Sequence, residues 1–212
     1  MFKITHQFLL IFFRKNGHNS ISGMIEADYK KNFKDSCGFG LITNLDNQAS
    51  HWLVKTAIES LARLSHRGAI SADGKSGDGS GLLFKLPKEF FTQLASQAGF
   101  SLHPNFAVAS VFLSQDPKKY SHALDVFERE LNAVSLKKTW VRQVPINQSA
   151  CGLDALKTLP QIVQVFIEAQ SSSTPNDFDE QVMERSLYVA RRKTELALLE
   201  DSDFIFLVVH LA

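Results

Sequence analysis

Asp35-Ser36-Cys37-Gly38-Phe39-Gly40-Leu41-Ile42 sets a cysteine at the head of an apolar stretch, with glycine directly behind it. Residues 38–43 read as a buried strand, apolar at Phe39, Leu41 and Ile42, which puts Cys37 at a strand end. After the turn residues Asp46-Asn47-Gln48, the apolar positions Leu53, Val54, Ala57, Ile58, Leu61 and Leu64 recur at helical spacing. That helix runs out into Ser65-His66-Arg67-Gly68-Ala69, where Gly68 is a suitable stop. A second glycine cluster follows in Ser76-Gly77-Asp78-Gly79-Ser80-Gly81. Cysteine before glycine, then a helix, then Arg-Gly and a glycine-rich turn reads as a nucleophile held at the end of a strand.

Farther on, residues 81–86 form a predicted strand, and Pro87 fits the first turn of a helix carrying Phe90, Phe91 and Leu94 as far as Gly99. Residues 106–113 are another strand. Asp116-Pro117 opens a helix through Leu124, Phe127 and Leu131, and residues 139–144 return as a strand. Cys151-Gly152-Leu153 begins an irregular connection, and residues 162–167 are dense in β-branched side chains, a strand signal. A polar loop over 171–176 leads to an amphipathic helix over 177–200. The apolar strand at 204–209 then meets the C-terminus almost at once, and is expected to lack sheet neighbours. Alternation of strands and helices, taken alone, suggests α/β.

A chain of 212 residues, 44% apolar, can bury the core of one substantial domain or two small ones. Its formal charge of +1 indicates neither a nucleic-acid track nor a polybasic membrane surface. Two cysteines without a C-x-x-C pair argue against a disulfide framework and suit a reducing cytoplasm. Near the N-terminus, Lys3 and the run Phe8-Leu9-Leu10-Ile11-Phe12-Phe13 imitate a secretory signal. The run stops at Arg14-Lys15, lacks a small-x-small cleavage site, and falls short of the roughly twenty apolar residues needed to span a bilayer.

Cys37-Gly38-Phe39-Gly40-Leu41-Ile42, the helix from Val54 to Leu64, His66-Arg67-Gly68-Ala69 and Ala72-Asp73-Gly74-Lys75-Ser76-Gly77-Asp78-Gly79 stand in a telling order. In that order and spacing the chain resembles the class II glutamine amidotransferase domain of the glutamate synthase large subunit. The match is strongest over residues 36–91 and continues more weakly to about residue 204. The resemblance implies an α+β fold, a four-layer αββα sandwich of N-terminal nucleophile type, incomplete here. Residues 1–36 would be a leader, with 1–23 an upstream extension if Met24 is the natural start, and 37–212 the N-terminal portion of the amidotransferase domain. It further implies glutamine as substrate, and the remainder of the large subunit and a small NADPH-oxidising subunit as partners. The FMN and iron-sulfur cluster of the family lie in regions beyond this chain, for which no cofactor, metal, nucleic acid or membrane is expected.

The resemblance makes Cys37 the catalytic residue, with Arg67 and Gly68 binding substrate or supporting the site. A thiol reacts as thiolate, and a pKa of about 8.5 leaves little of it at neutral pH without a nearby base or positive charge. No histidine adjoins Cys37 in sequence. Cleavage of the Ser36-Cys37 bond would free an α-amine, whose pKa of about 7.7 to 8.0 suits a base within reach of its own thiol. An isolated cysteine reads as a buried structural thiol; the register of the downstream motifs reverses that. Arg67 is either a charge at a helix C-terminus, favoured by the dipole, or a support for the nucleophile strand. Gly68 is a helix stop that the family also keeps near the reacting cysteine.

Groups that stabilise an oxyanion are commonly worth about 2.7 to 4 kcal/mol each, and the family takes them from an Asn-Gly-Glu loop. Here Asn-Gly occurs only at Asn16-Gly17, before the nucleophile, and the family's Arg-Phe-Ser-Thr segment, which holds the glutamine carboxylate, is absent. The 212-residue chain by itself is therefore expected to lack glutaminase activity. A truncated or frameshifted non-catalytic fragment is the alternative. Gly74-Lys75-Ser76 invites a phosphate-loop reading, but the position five before Gly74 is Ala69 and the loop follows a helix end, so the pattern fails. Gly77, Gly79 and Gly81 are expected instead to turn the backbone tightly beside the cysteine. Seven histidines give no ligand-spaced pair, and Cys151 reads as a core thiol.

Overall fold

A computed structural model describes residues 9–14, 40–46, 48–63, 70–77, 79–170, 180–199 and 206–211. The chain divides into two compact units, one of Met1–Lys85 with Gln148–Lys157, the other of Leu86–Asn147 with Thr158–Ala212.

The first unit holds strands β1 (Leu9–Arg14), β2 (Leu41–Ile42) and β3 (Gly79–Leu83), with helix α1 (His51–Arg63) between β2 and β3 in sequence. The strands form an antiparallel sheet in the order β2-β1-β3, Leu9 facing Ile42 and Phe12 facing Gly81. The apolar run read above as a signal-like imitation thus includes the middle strand of a sheet. Ser50 starts α1 by accepting the Leu53 N–H at 3.2 Å, and the helix buries Leu53 and Ala57, one turn apart.

The second unit begins with α2 (Lys88–Gln97), which follows Pro87 and ends before Gly99, whose φ of +83° admits glycine readily. Then come β4 (Phe106–Leu113), α3 (Pro117–Asn132), β5 (Leu136–Gln143), β6 (Gln161–Ala169), α5 (Glu180–Ala197) and β7 (Phe206–Leu211). Asp116 caps α3: its carboxylate accepts the N–H groups of Lys118 and Lys119 at 2.8 and 3.1 Å, and Pro117 takes the first helical position. Along α5 the buried residues Met183, Leu187, Ala190 and Thr194, followed by Leu198 just past its end, fall three or four apart, the stripe an amphipathic helix turns to a core. The Thr194 hydroxyl donates back to the Ala190 carbonyl at 2.8 Å, so its burial leaves no polar group unmatched.

All pairings in this unit are antiparallel, in the order β5-β6-β4-β7. That corrects the α/β reading drawn from alternation alone. Strands β4 and β5, joined through α3, lie two apart and point the same way; β6 and β7, joined through α5, do likewise. Each helical connection skips over one strand of the other pair, giving a split βαββαβ unit. The strand expected to stand without sheet neighbours is the fourth strand of this unit, bonded to β4 from Phe112↔Phe206 to Ala107↔Leu211.

Period-two alternation sends the strand residues into two cores. Ala107, Ala109, Val111 and Leu113 of β4 join Val163, Val165 and Ile167 of β6 against α3 and α5. Phe106, Val108 and Phe166 point the other way, to Leu86, Phe91 and Leu94. A bulge between Lys138 and Trp140 keeps β5 in step. Leu136 and Val141 both meet the α3/α5 core although five residues separate them, and Trp140 reaches the aromatic side, 4.7 Å from the Phe166 ring centroid. Glu168, 6% exposed, accepts the His103 N–H at 2.6 Å and the Thr139 hydroxyl at 3.1 Å, with Lys137 Nζ at 3.5 Å.

Candidate functional site

Cys37, Arg67 and Gly68, the three residues singled out from sequence, lie outside the described residues, as does His66. What the structure resolves beside them in sequence is the turn over residues 70–77 and its partner segment, both in the first unit.

Ile70 and Gly77 bridge in antiparallel fashion, and the Ser71 N–H donates to the Ser76 carbonyl at 2.7 Å. Between them, the Gly74 N–H donates to the Ser71 carbonyl at 3.0 Å, closing a β-turn in which Gly74 adopts φ +71°. Asp73 tightens the turn as Asx residues do: its Oδ1 accepts the N–H groups of Lys75 and Ser76 at 2.9 and 2.7 Å.

The partner segment contains a single 3₁₀ turn, Gln148–Ala150, and a short helix, α4 (Leu153–Lys157). Gly152 stands at the N-cap, its carbonyl accepting the Leu156 N–H at 3.0 Å, and has no side chain with which to satisfy the first amides of the helix. Residues some eighty positions earlier do so instead. Asp73 Oδ2 accepts the Asp154 N–H at 3.0 Å, and Ser76 Oγ accepts the Ala155 N–H at 2.9 Å. The Ser76 hydroxyl donates to Asp73 Oδ2 at 2.5 Å, and the Ser71 hydroxyl donates to Asp154 Oδ2 at 2.7 Å. Lys157 closes the cluster through Asp154 Oδ1 at 2.8 Å. A Cβ on Gly152 would come within 2.5 Å of Asp73 Oδ2 and the Ser76 nitrogen, and closer still to Ser76 Oγ.

These bonds fix the charges. The Ser76 hydroxyl first, then the N–H groups of Asp154, Lys75 and Ser76, hold the Asp73 carboxyl far below the ordinary carboxylate range. Lys157 first, with the Ser71 hydroxyl, lowers Asp154 against the repulsion of Asp73, and Asp154 in return raises Lys157. Asp73 accepts four hydrogen bonds, about the full capacity of a carboxylate. It is an ionised structural acceptor, with no lone pair left for general-base work. The amides of Lys75 and Ser76 that a phosphate loop would offer to an anion are taken by this carboxylate, in agreement with the failed spacing of that motif.

Gly74, rather than Gly77 or Gly81, takes the left-handed backbone in this stretch, and a Cβ at Gly81 would meet nothing within 4 Å. Cys151, read as a core thiol, is half-buried at the turn before Gly152, its N–H donating to the Gln148 carbonyl at 3.1 Å. Sequence reasoning missed Asp73, Gly152 and Asp154 as a unit. The available signals were an Asp-Gly pair able to form an Asx turn and a helix start, Gly152-Leu153-Asp154, with no capping side chain of its own.

Among the described residues no group of three or more His, Cys, Asp or Glu is placed to hold a metal ion. Two cysteines in the whole chain do not make up the four-thiolate set of an iron-sulfur cluster. Among the same residues no helix is long and apolar enough to cross a membrane.

Residues 37–210 match the family of glutamine amidotransferases class-II. The chain is 36% identical over 173 residues to ferredoxin-dependent glutamate synthase 1, chloroplastic/mitochondrial, of Arabidopsis thaliana, covering 80% of this chain and 10% of the relative. It is 33% identical over 184 residues to the glutamate synthase [NADPH] large chain of Bacillus subtilis, covering 84% of this chain and 12% of that one. Against ferredoxin-dependent glutamate synthase 2 of Synechocystis the identity is 31% over 170 residues, 79% of this chain and 11% of the relative. The chain thus spans about a tenth of the length of the curated relatives it matches. With a family match over most of its residues and glutamate synthases as its relatives, the chain belongs to the class-II glutamine amidotransferases.

Proposed function

We propose that this chain carries the nucleophile for the glutamine-hydrolysing half-reaction of a glutamate synthase, and that Cys37 is that nucleophile. The observation that carries the proposal is where the family match begins: at residue 37, the cysteine itself. The Cys37 sulfur attacks the side-chain amide carbon of glutamine while the thiol proton passes to the α-amine freed by cleavage after Ser36. The tetrahedral intermediate collapses, the proton leaves with the amide nitrogen as ammonia, and a thioester remains. Water then hydrolyses the thioester to glutamate and returns the thiol. Glutamine and water give glutamate and ammonia.

In the whole protein the ammonia would serve glutamate formation from 2-oxoglutarate, the reaction to which the relatives' names point. A small NADPH-oxidising subunit suits the NADPH-type relative, whereas the ferredoxin-dependent relatives name another donor. The four-layer αββα sandwich belongs to this reading as the setting of Cys37. A reducing compartment, the cytoplasm in the sequence reading, suits a working thiol.

The test is covalent labelling of a chain completed with the rest of the amidotransferase domain, using the glutamine analogue 6-diazo-5-oxo-L-norleucine, followed by peptide mapping. Label at Cys37, on a peptide that starts with Cys37 and with Cys151 spared, is the expected result. Label confined to Cys151 overturns the assignment, and glutaminase turnover with residue 36 still attached removes the α-amine as base.

A further inference from the structure

We infer that the outer face of α5 is a docking surface for a second copy of this chain, the two helices pairing antiparallel about a two-fold axis. The inference stands apart from the assignment of Cys37.

Helices α3 and α5 cover the same face of the second unit's sheet, yet their outward sides differ. That of α3 is polar, with Lys118, Lys119, His122, Asp125 and Arg129 exposed. Opposite the buried stripe of α5 lie Val182, Arg185, Val189, Arg192 and Leu196, with Leu199 in the turn just beyond the helix. Val182, Leu196 and Leu199 are 45%, 56% and 72% exposed, and Val189 is half-buried. Single exposed apolar side chains are ordinary on a protein surface. Here the positions fall alternately three and four residues apart, the a/d repeat of a helix-pairing seam about 25 Å long. Helix α5 thus turns one stripe to its own core and a second, heptad-spaced stripe away from it.

The order of residues in the seam selects the partner. When the helix pairs antiparallel with itself, Val182 meets Leu199 of the second copy, Arg185 meets Leu196, and Val189 meets Arg192. No arginine faces an arginine, and each apolar side chain is covered by a leucine or by the methylene stem of an arginine. Among the described residues Arg185 has no acidic partner. The pairing brings it to Leu196 of the second copy, beside Glu195, whose carboxylate is engaged in its own chain by Arg191 and Arg192 and has acceptor capacity to spare. A parallel pair would instead set Arg185 against Arg185 and Arg192 against Arg192, like charges that repel. Because α5 is already formed on its core, pairing bears no cost of helix nucleation. An interface that joins the same patch of two copies closes as a dimer.

The experiment follows the molar mass of the 212-residue chain by sedimentation equilibrium across a concentration series. The unaltered protein is compared with Leu196→Glu, Arg185→Glu and, on α3, His122→Glu, all at exposed positions. The mass of the unaltered protein is expected to rise with concentration toward that of two chains. Leu196→Glu and Arg185→Glu should each raise the dissociation constant at least about tenfold, since symmetry enters every change twice. His122→Glu should stay within about twofold, and all three should keep the circular dichroism of the unaltered chain. Oxidising a mixture of Val182→Cys and Leu199→Cys chains should link position 182 of one to position 199 of the other, as read by peptide mapping. A chain that is monomeric at every concentration overturns the proposal and leaves the face to another part of a longer protein. A dimer that Leu196→Glu leaves intact overturns it too, and a link between two copies through position 182 overturns the antiparallel pairing.

Discussion

Among the described residues, the two units show different kinds of contact. In the second, Phe106, Phe127, Phe166, Leu131, Leu136 and Ile167 are buried at 2% exposure or less, and the sheet carries an apolar core on each face. Among the described residues of the first, the buried helix residues are Leu53 and Ala57, while Leu45 and Trp52 are exposed at 89% and 68%. The best-defined contact there is the polar interlock of Asp73 and Ser76 with Gly152. Apolar burial is non-directional and supplies most of the stability; hydrogen bonds into a helix terminus add little net free energy but dictate where groups lie. Among the described residues, then, the second unit is held mainly by apolar burial, while the turn at 70–77 of the first is held by directed hydrogen bonds.

The contrast breaks first if the second unit is not the stable one. Phe166 is fully buried, with ring centroids of Trp140, Phe91 and Phe106 at 4.7, 5.5 and 6.2 Å. Phe166→Ala is expected to cost about 3 to 5 kcal/mol, read as a lower midpoint in urea unfolding; a change below 1 kcal/mol would refute the double-faced core. Glu168→Ala leaves the His103 N–H and the Thr139 hydroxyl without their acceptor, a cost of about 1 to 3 kcal/mol in the same measurement. Asp116→Ala removes the α3 cap and should cost about 1 kcal/mol. A loss well below 1 kcal/mol from Glu168→Ala would mean that Glu168 acts as a surface charge, against its burial.

The smallest effect sharpens the other side of the comparison. Asp73 and Asp154 both have folded pKa values below the ordinary 3.8. Their contribution is therefore fully present above about pH 4 and is lost only as pH falls further, through the folded values. Lys157, raised above 10.5, adds a contribution that is complete below that pH and lost as pH rises through its folded value. Amide NMR signals of Ser76, Asp154 and Ala155 should hold constant from pH 9 down to about 4 and move below it. Movement completed between pH 6 and 4 would show that Asp73 is not held by these donors.

In the second unit, helices and central strands were legible where one face of an element carries the pattern, whereas in the first the middle strand β1 was read as a signal-like run and the buried strand expected over 38–43 is the two-residue β2, with Leu41 exposed. Residues 106–113 came out as predicted, and the Asp116-Pro117 helix start and the stripe of α5 needed only periodicity. The first residues of β5 were missed. Lys137 and Lys138 interrupt the apolar signal there, and the bulge after Lys138 shifts the alternation by one, so no single period fits the strand. Antiparallel order was hidden because a helix between strands looks the same whether it joins neighbours or skips one. The interlock was invisible for a related reason: Asp73 and Gly152 are each ordinary turn residues, and only the fold brings them together. Cys37, Arg67 and Gly68 were read from motif order and lie outside the described residues; Cys37 is the proposed nucleophile, and labelling is its test.

The split strand order has a consequence for synthesis on the ribosome. Strand β4 lies between β6 and β7, both made later, and Ala107 meets its partner Leu211 only when β7 has emerged. At about 5 to 20 residues per second, the interval of roughly a hundred residues lasts about 5 to 20 s. Throughout it, Phe-Ala-Val-Ala-Ser-Val-Phe-Leu, uncharged and without proline, waits with at least one edge unpaired. Such a segment is prone to pair with its like on a neighbouring nascent chain. The yield of soluble protein should therefore depend on how quickly translation delivers β7, with slow codons after β6 costing more than slow codons before β4.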